Sequence, residues 1–164
     1  MLIKDASIKD LEVIHDLAHK IWPTAYGAIL SPEQLRYMLE KIYALLSLQN
    51  QVFQLKHHFI LLLEKEIPIG FASFSPEEEG SKIFKLHKIY VLPGKQGNGS
   101  GKFLLNHIMN TITKAGATSL ELNVNRHNSA KFFYERQGFS IKAEVDIPIG
   151  EGFFMNDYIM ERVF

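Results

Sequence analysis

The chain has 164 residues, 46% hydrophobic and 22% charged, a composition that fits a globular protein long enough to bury a core, so one domain over residues 1–164 is expected. Its 18 basic side chains balance 18 acidic ones, which leaves no overall basic field to collect nucleic acid, and the lack of cysteine removes disulfides, thiolate nucleophiles and zinc–thiolate sites. The first ten residues carry no apolar signal core and the longest apolar run, residues 59–63, is too short to cross a bilayer, so a cytoplasmic protein without a membrane partner is expected.

Leu2 and Ile3 suggest a short first strand. Ser7 then opens a helix with Asp10 as its capping-box partner, and Leu11, Ile14, Leu17, Ala18 and Ile21 form the apolar stripe. Pro23 is expected to end that helix, leaving residues 22–27 as a connector whose Trp22 and Tyr26 suit either a substrate pocket or helix packing. His15 and His19 stand one helical turn apart, but no third ligand is evident beside them and no metal site is expected. Ser31 caps a second helix, with Pro32 in the first position and Gln34 closing the box. Leu35, Met38, Leu39, Ile42, Leu45 and Leu46 would face inward, and residues 49–54 read as a loop.

Residues 59–63 and 67–74 form a strand hairpin turning at 64–66, and the acidic run at 76–80 reads as a solvated hairpin tip. The next strand, from Ile83, has a phase problem. Phe84 and Leu86 share one parity while Ile89 and Val91 share the other, and a side-chain period of two cannot place both pairs on one face without an extra residue. A bulge near His87 and Lys88 reconciles them, as does burial on both faces.

That strand runs into the most informative stretch of the chain. Ile89, Tyr90, Val91 and Leu92 stop at Pro93, glycines follow at 94, 97, 99 and 101, and Leu104, Leu105, Ile108, Ile112 and Ala115 then recur at helical spacing. Strand, glycine loop and helix N-terminus together aim backbone N–H groups at one spot, which suits a phosphate. A phosphate-binding P-loop would need glycine where Gln96 stands and a hydroxyl where Phe103 stands, and in a dinucleotide fingerprint the third glycine would come one residue later than Gly101. Residues 118–124 then alternate as a strand, which a right-handed crossover would set parallel to the first. Asn128 or Ser129 caps a short helix through Phe132, Phe133 and Tyr134 that stops at Gly138, and residues 139–147 and 153–163 read as a closing hairpin turning at 150–152.

What does fit the loop is Gln96-Gly97-Asn98-Gly99-Ser100-Gly101 after a strand, which resembles the coenzyme A pyrophosphate loop of the GNAT acetyltransferase superfamily. Leu122, Val124, Asn128, Ala130, Phe133-Tyr134-Glu135 and Gly138-Phe139 are similar to that superfamily's second motif, so the resemblance covers roughly residues 60–145. Residues 22–43 add a similarity to the bacterial branch that includes polyamine acetyltransferases. The resemblance implies an α/β fold: a mixed, mostly antiparallel sheet with two splayed central parallel strands and helices on both faces. It implies acetyl-CoA as cosubstrate and an amine of a small molecule, polyamine or peptide as acceptor. Carried over residue by residue, it implies that Ile89, Tyr90 and Val91 meet the pantetheine arm, that Gln96, Gly97, Asn98, Gly99, Ser100, Gly101 and Lys102 hold the pyrophosphate, and that Asn125 and Asn128 meet the far side of the cosubstrate.

Acetyl transfer to an amine needs a proton acceptor, a donor for the thioester oxygen and a partner for the leaving sulfur. The resemblance assigns the last role to Tyr134, and the freed N–H of Val91 is the candidate oxygen donor. The central strand offers no carboxylate, so His87, whose titration range suits the task, is the candidate base, with Tyr26, Glu33 and Tyr37 as further pocket candidates. Two other readings follow from the same motifs: a non-catalytic acyl-CoA sensor on this fold, and a nucleotide binder. Phe153, Phe154 and the last strand could form a homodimer contact or lie in the core.

Overall fold

The computed structural model describes residues 1–164. Seven strands make one sheet in the order β1-β2-β3-β4-β5-β7-β6. They are β1 (Leu2–Asp5), β2 (His58–Glu64), β3 (Ile67–Pro76), β4 (Ile83–Val91), β5 (Ser119–Asn125), β6 (Ser140–Gly150) and β7 (Phe153–Val163). Every neighbouring pair is antiparallel except β4 and β5, which run parallel because helix α4 (Ser100–Lys114) carries the chain across from one to the other.

The sheet separates two apolar cores. On one face Leu104, Leu105, Ile108 and Ile112 of α4 pack against Leu86 and Val91 of β4 and Leu120, Leu122 and Val124 of β5, and α5 (Ala130–Arg136) adds Tyr134. On the other face lie α1 (Leu11–Tyr26), α2 (Pro32–Tyr43) and α3 (Leu45–Phe53), whose Ile14, Ile21, Trp22, Tyr43 and Leu48 pack on Phe59, Leu61 and Phe71. The box expected at Ser7 is present, its amide donating to the Asp10 carboxylate at 2.8 Å, and the Gln34 amide donates to Ser31 Oγ at 3.1 Å; Gln34 does not close the second box, because its side chain turns to donate to the Phe154 carbonyl at 2.7 Å.

Two further expectations in the first half are corrected. Pro23 does not end α1, which continues through it to Tyr26. A proline there forfeits one backbone hydrogen bond only a turn before the helix stops, and the burial of Trp22 against the rings of Tyr26, Tyr43 and Tyr90 offsets the loss. Residues 49–54 are not a loop, because after a break at Ala44 the chain resumes as α3. Leu48 is fully buried there and Gln51 donates to the Ile42 carbonyl, while Leu45 and Leu46, expected inside, are exposed. Gln51 turns inward because Lys88 of β4 and the Ile42 carbonyl of α2 offer it polar partners.

Candidate active site

The site begins with a bulge. Along the β3–β4 ladder Ser73 faces Lys88 and Phe74 faces Leu86, so His87 has no opposite residue. The extra residue resolves the phase conflict: Phe84, Leu86, Ile89 and Val91 all reach the α4 core, while Tyr90 packs on the α1–α3 side. The parallel ladder to β5 ends at the same place, its last pair being Leu86 with Leu122. Beyond it β4 and β5 part. The Leu92 amide donates to the Ile69 carbonyl, and antiparallel alternation from that bond turns the backbone groups of Val91 and Ile89 away from β3 and into the gap.

The glycine loop closes one end of the gap. Gln96 Nε2 donates to the Val91 carbonyl at 2.9 Å and so folds the loop back on the strand end. Gly97 and Gly99 have φ of +80° and +87°, and a Cβ on either would meet nothing within 4 Å, so these glycines are required by backbone conformation rather than by crowding. Asn98 Oδ1 accepts from the Ser100 amide at 3.1 Å, which occupies that donor, and Ser100 is itself fully buried. The amides of Gly97, Gly99, Gly101 and Lys102 donate to no backbone carbonyl of the chain. They sit at the positive end of the four-turn helix α4.

A cavity of about 700 Å³ runs from this loop along the gap. Gln96, Gly97, Gly99, Gly101 and Lys102 line its loop end, Ile89, Tyr90 and Val91 one wall, and Asn128 and Tyr134 the other. Asn128 also caps α5, its Oδ1 accepting from the Ala130 amide at 2.9 Å. Free amides, glycines that leave the approach open, and the side chains of Lys102 and Arg136 in the same wall suit a diphosphate. An open strand edge beyond them suits an extended amide-bearing arm. The residues present therefore fit coenzyme A. Tyr134 is buried, and burial holds its phenol well above the ordinary tyrosine range. Asn98 and Ser100 shape the loop without lining the cavity, and Asn125 lies in a different wall.

That wall belongs to a second cavity, of about 800 Å³, on the α1–α3 face. Tyr26, Leu86, His87, Lys88, Tyr90 and Asn123 border both cavities, so the two meet at the unpaired half of β4. His87 stands at this junction. Its Nε2 lies 2.8 Å from Ser75 Oγ, its ring stacks on His57 at 3.7 Å, and burial, with His57, Lys88 and Lys85 nearby, depresses its pKa to about 3. Tyr26 Oη lies 2.9 Å from Tyr90 Oη, and burial raises both phenols. Glu33 and Tyr37 line neither cavity; Tyr37 instead donates to the Ile149 carbonyl at 2.7 Å.

Three residues of the second cavity were not singled out from the sequence. Asp157, on β7 opposite Asn125, is 3% exposed and supplies the cavity's carboxylate. Burial raises its pKa, although Asn123 Nδ2 donates to it at 3.3 Å. Lys85 donates to Asn123 Oδ1. Lys88, 8% exposed, donates to Gln51 Oε1 at 2.6 Å, and burial lowers its pKa to about 8. A charged residue in an apolar strand was the available signal at Asp157, but finding it a partner required the β5–β7 register.

Comparison with known proteins agrees with this geometry. A family model described as the acetyltransferase (GNAT) domain matches residues 28–147. The chain is 26% identical to the spermidine N(1)-acetyltransferase of Thermoplasma acidophilum, over 99% of this chain and 96% of that one. It is 38% identical to the ribosomal protein bS18-alanine N-acetyltransferase of Haemophilus influenzae, over 52% of this chain and 55% of that one. The crystal structure of the PaiA N-acetyltransferase of Thermoplasma acidophilum in complex with coenzyme A superposes with a TM-score of 0.82, at 25% identity and full coverage of both chains. With the splayed strands, the glycine loop and the matched domain in agreement, the chain belongs to the GNAT family and is an acetyl-CoA-dependent N-acetyltransferase.

Proposed function

We propose that residues 1–164 act as one catalytic unit in which the 700 Å³ cavity takes acetyl-CoA and the 800 Å³ cavity takes a small-molecule or peptide amine. The observation that carries this reading is that the two cavities share the wall at Leu86, His87, Lys88 and Tyr90, where β4 leaves β5. The relatives named for spermidine and for a ribosomal-protein alanine support an amine acceptor without agreeing on which amine.

Acetyl-CoA supplies an acetyl thioester; the chain supplies the rest. The unpaired amides of Gly97, Gly99, Gly101 and Lys102, with Gln96 closing the loop, hold the pyrophosphate, and Ile89 and Val91 present backbone groups to the arm. The Val91 N–H faces the gap, where it donates to the carbonyl oxygen as that atom gains charge. Tyr134 lines the same gap. A free thiol has a pKa near 8.5 and an ordinary phenol near 10, and burial widens that difference, so Tyr134 keeps its proton and acts as a hydrogen-bond donor to the sulfur.

The proton acceptor is Asp157 in this reading, in place of His87. An imidazole held near pKa 3 is a weak base, whereas a buried carboxylate with a raised pKa takes a proton more readily than a solvated one. An amine of pKa about 10 loses its proton at a cost of about 4 kcal/mol at pH 7, and a carboxylate placed to receive it as the new bond forms reduces that cost. Thiol release from acetyl-CoA across a panel of amines tests the assignment. Tyr134→Phe is expected to lower kcat by about 10²-fold while the coenzyme A affinity stays within about twofold. Coenzyme A that leaves the amide resonances of residues 96–102 unmoved at millimolar concentration would refute the cofactor placement.

A further inference from the structure

The acceptor cavity has an unusual charge for an enzyme that binds an amine. Its lining carries the ammonium groups of Lys41, Lys85 and Lys88 and one carboxylate, Asp157. Lys41 sits at the rim and donates to the Ile149 carbonyl and Tyr37. Lys85 is part-buried, and Glu121, Glu77 and Asp157 around it offset part of the cost. Lys88 has no carboxylate near it. It is more than nine-tenths buried, between the rings of Tyr43 and Phe59 at 5.9 and 5.5 Å, with one neutral acceptor, Gln51 Oε1, for its three donors. Isolated buried ammonium groups are costly, and they are found paired or holding an anion.

The surroundings of Lys88 point the same way. His57 Nδ1 is buried without a partner, the Trp22 Nε1 donor has only the Tyr43 hydroxyl beside it, and both residues line this cavity. His57 lies within the field of Lys88, and Trp22 packs on the Tyr43 ring that Lys88 overhangs. A buried ammonium with spare donors and no carboxylate partner, beside a buried ring nitrogen without a partner, describes a receptor for an acceptor-rich, negatively charged group. A polyamine would bring further positive charges into a lining where ammonium groups outnumber the carboxylate.

We infer that the acceptor is an amine that also carries an anionic group, held at Lys88 while the amine faces Asp157. This rests on the acetyl-transfer reading and narrows its substrate. The apolar part of the lining, including Leu30, Met38, Leu46, Leu55 and Met155, suits an apolar side chain on that acceptor.

Two measurements test it on the full chain. In the first, acetyl-CoA turnover is followed with methionine, leucine and phenylalanine, with their carboxamides, with phosphoethanolamine and with spermidine. The anionic acceptors are expected to exceed the carboxamides and spermidine by about tenfold or more in kcat/KM. Whether carboxylate or phosphate leads identifies the anion. Lys88→Met is expected to collapse the ratio of acid to carboxamide toward one. The second measurement does not depend on turnover: calorimetric binding of N-acetylmethionine and its carboxamide to the coenzyme A complex, in wild type and Lys88→Met. Preference for spermidine or for the carboxamides, or a ratio unchanged by Lys88→Met, overturns the inference while leaving acetyl transfer intact. Binding selective for the acid, lost in Lys88→Met but without turnover of any amine, supports the anion site and instead refutes the catalytic reading.

Discussion

The two cavities that meet at β4 are built from different materials. The cofactor side is mostly backbone: four free amides, two glycines at positive φ and a strand edge turned outward by a bulge. Its loop and strand edge come from one stretch of chain, and α5, β5 and the end of α1 complete the lining. The acceptor side is side chains, contributed by α1, α2, α3, β4, β5 and β7. A backbone site is fixed once the local conformation is fixed, so it tolerates most substitutions that keep its φ angles. A side-chain site depends on every residue that projects into it, and it is where one member of a family comes to differ from another.

The largest effect expected from that difference lies at Asp157, a single side chain on the acceptor side. Asp157→Asn keeps the shape and the Asn123 neighbour but removes the carboxylate proposed to accept the proton, and kcat/KM is expected to fall about 10²- to 10⁴-fold. The acid limb of the pH–rate profile should vanish with it. Because burial raises the Asp157 pKa, that limb in the wild type should lie above the ordinary carboxylate range near 4. Wild-type rate and profile in the Asp157→Asn variant would return the base to His87 or to solvent.

Next in size is a stability effect. Below pH 8 Lys88 is charged both folded and unfolded, and the folded state carries the cost of burial. Between pH 8 and 10.5 the unfolded chain binds more protons, so the wild type should gain stability, by about 3 kcal/mol, as pH rises through that window. Lys88→Met removes the charge and should stabilise the unliganded protein at pH 7 by about 1–4 kcal/mol. Denaturant melts of both proteins at pH 7 and pH 10 measure the difference, which should shrink at the higher pH.

The contrast also accounts for what the sequence disclosed. The glycine loop at Gln96 to Gly101 was legible because its geometry is local: the positive φ of Gly97 and Gly99 and the helix that follows are written in consecutive residues. The clash of parities between Leu86 and Ile89 was legible too, but it fitted either a bulge or burial on both faces, and the β3–β4 register selects the bulge at His87. Asp157 was not, because its significance comes from facing Asn125 across a strand pair 32 residues apart in sequence. Tyr26 was read as part of a connector because Pro23 outranks aromatic burial in any local rule, yet here the burial of Trp22 prevailed and α1 carried Tyr26 to the junction of the two cavities. Long-range packing decided each element that was missed.

On the backbone side, two glycine substitutions separate conformation from approach. Gly99→Ala places a side chain at φ +87°, at a cost of about 1–2 kcal/mol, and should weaken coenzyme A binding by about 5- to 30-fold through the loop. Gly101→Ala is different. Its φ is ordinary, and its new Cβ would lie 3.6 Å from Phe133 Cζ, a normal contact. It should stabilise α4 by up to about 1 kcal/mol. If the pyrophosphate approaches this amide closely, coenzyme A affinity falls even as the melting temperature rises. Affinity and stability that rise together would mean that the phosphate lies nearer Gly97 and Gly99.

The smallest effect expected is at the stacked pair His57 and His87, where the two cavities join. Burial and neighbouring cations depress their pKa values to about 4 and about 3, from an ordinary value of 6.5. The unfolded chain therefore binds more protons than the folded one below pH 6.5, and stability that is complete above that pH is lost as pH falls toward 4 and then 3. Both side chains are part-exposed, which screens the effect, so the melting temperature should drop by only a few degrees between pH 6.5 and 5. His57→Phe keeps a ring on His87 but removes one titrating group, so its melting temperature should fall less over the same interval. An equal fall in both proteins would place the acid sensitivity elsewhere, with the buried Asp157 excluded as its source because a raised carboxylate pKa acts in the opposite direction.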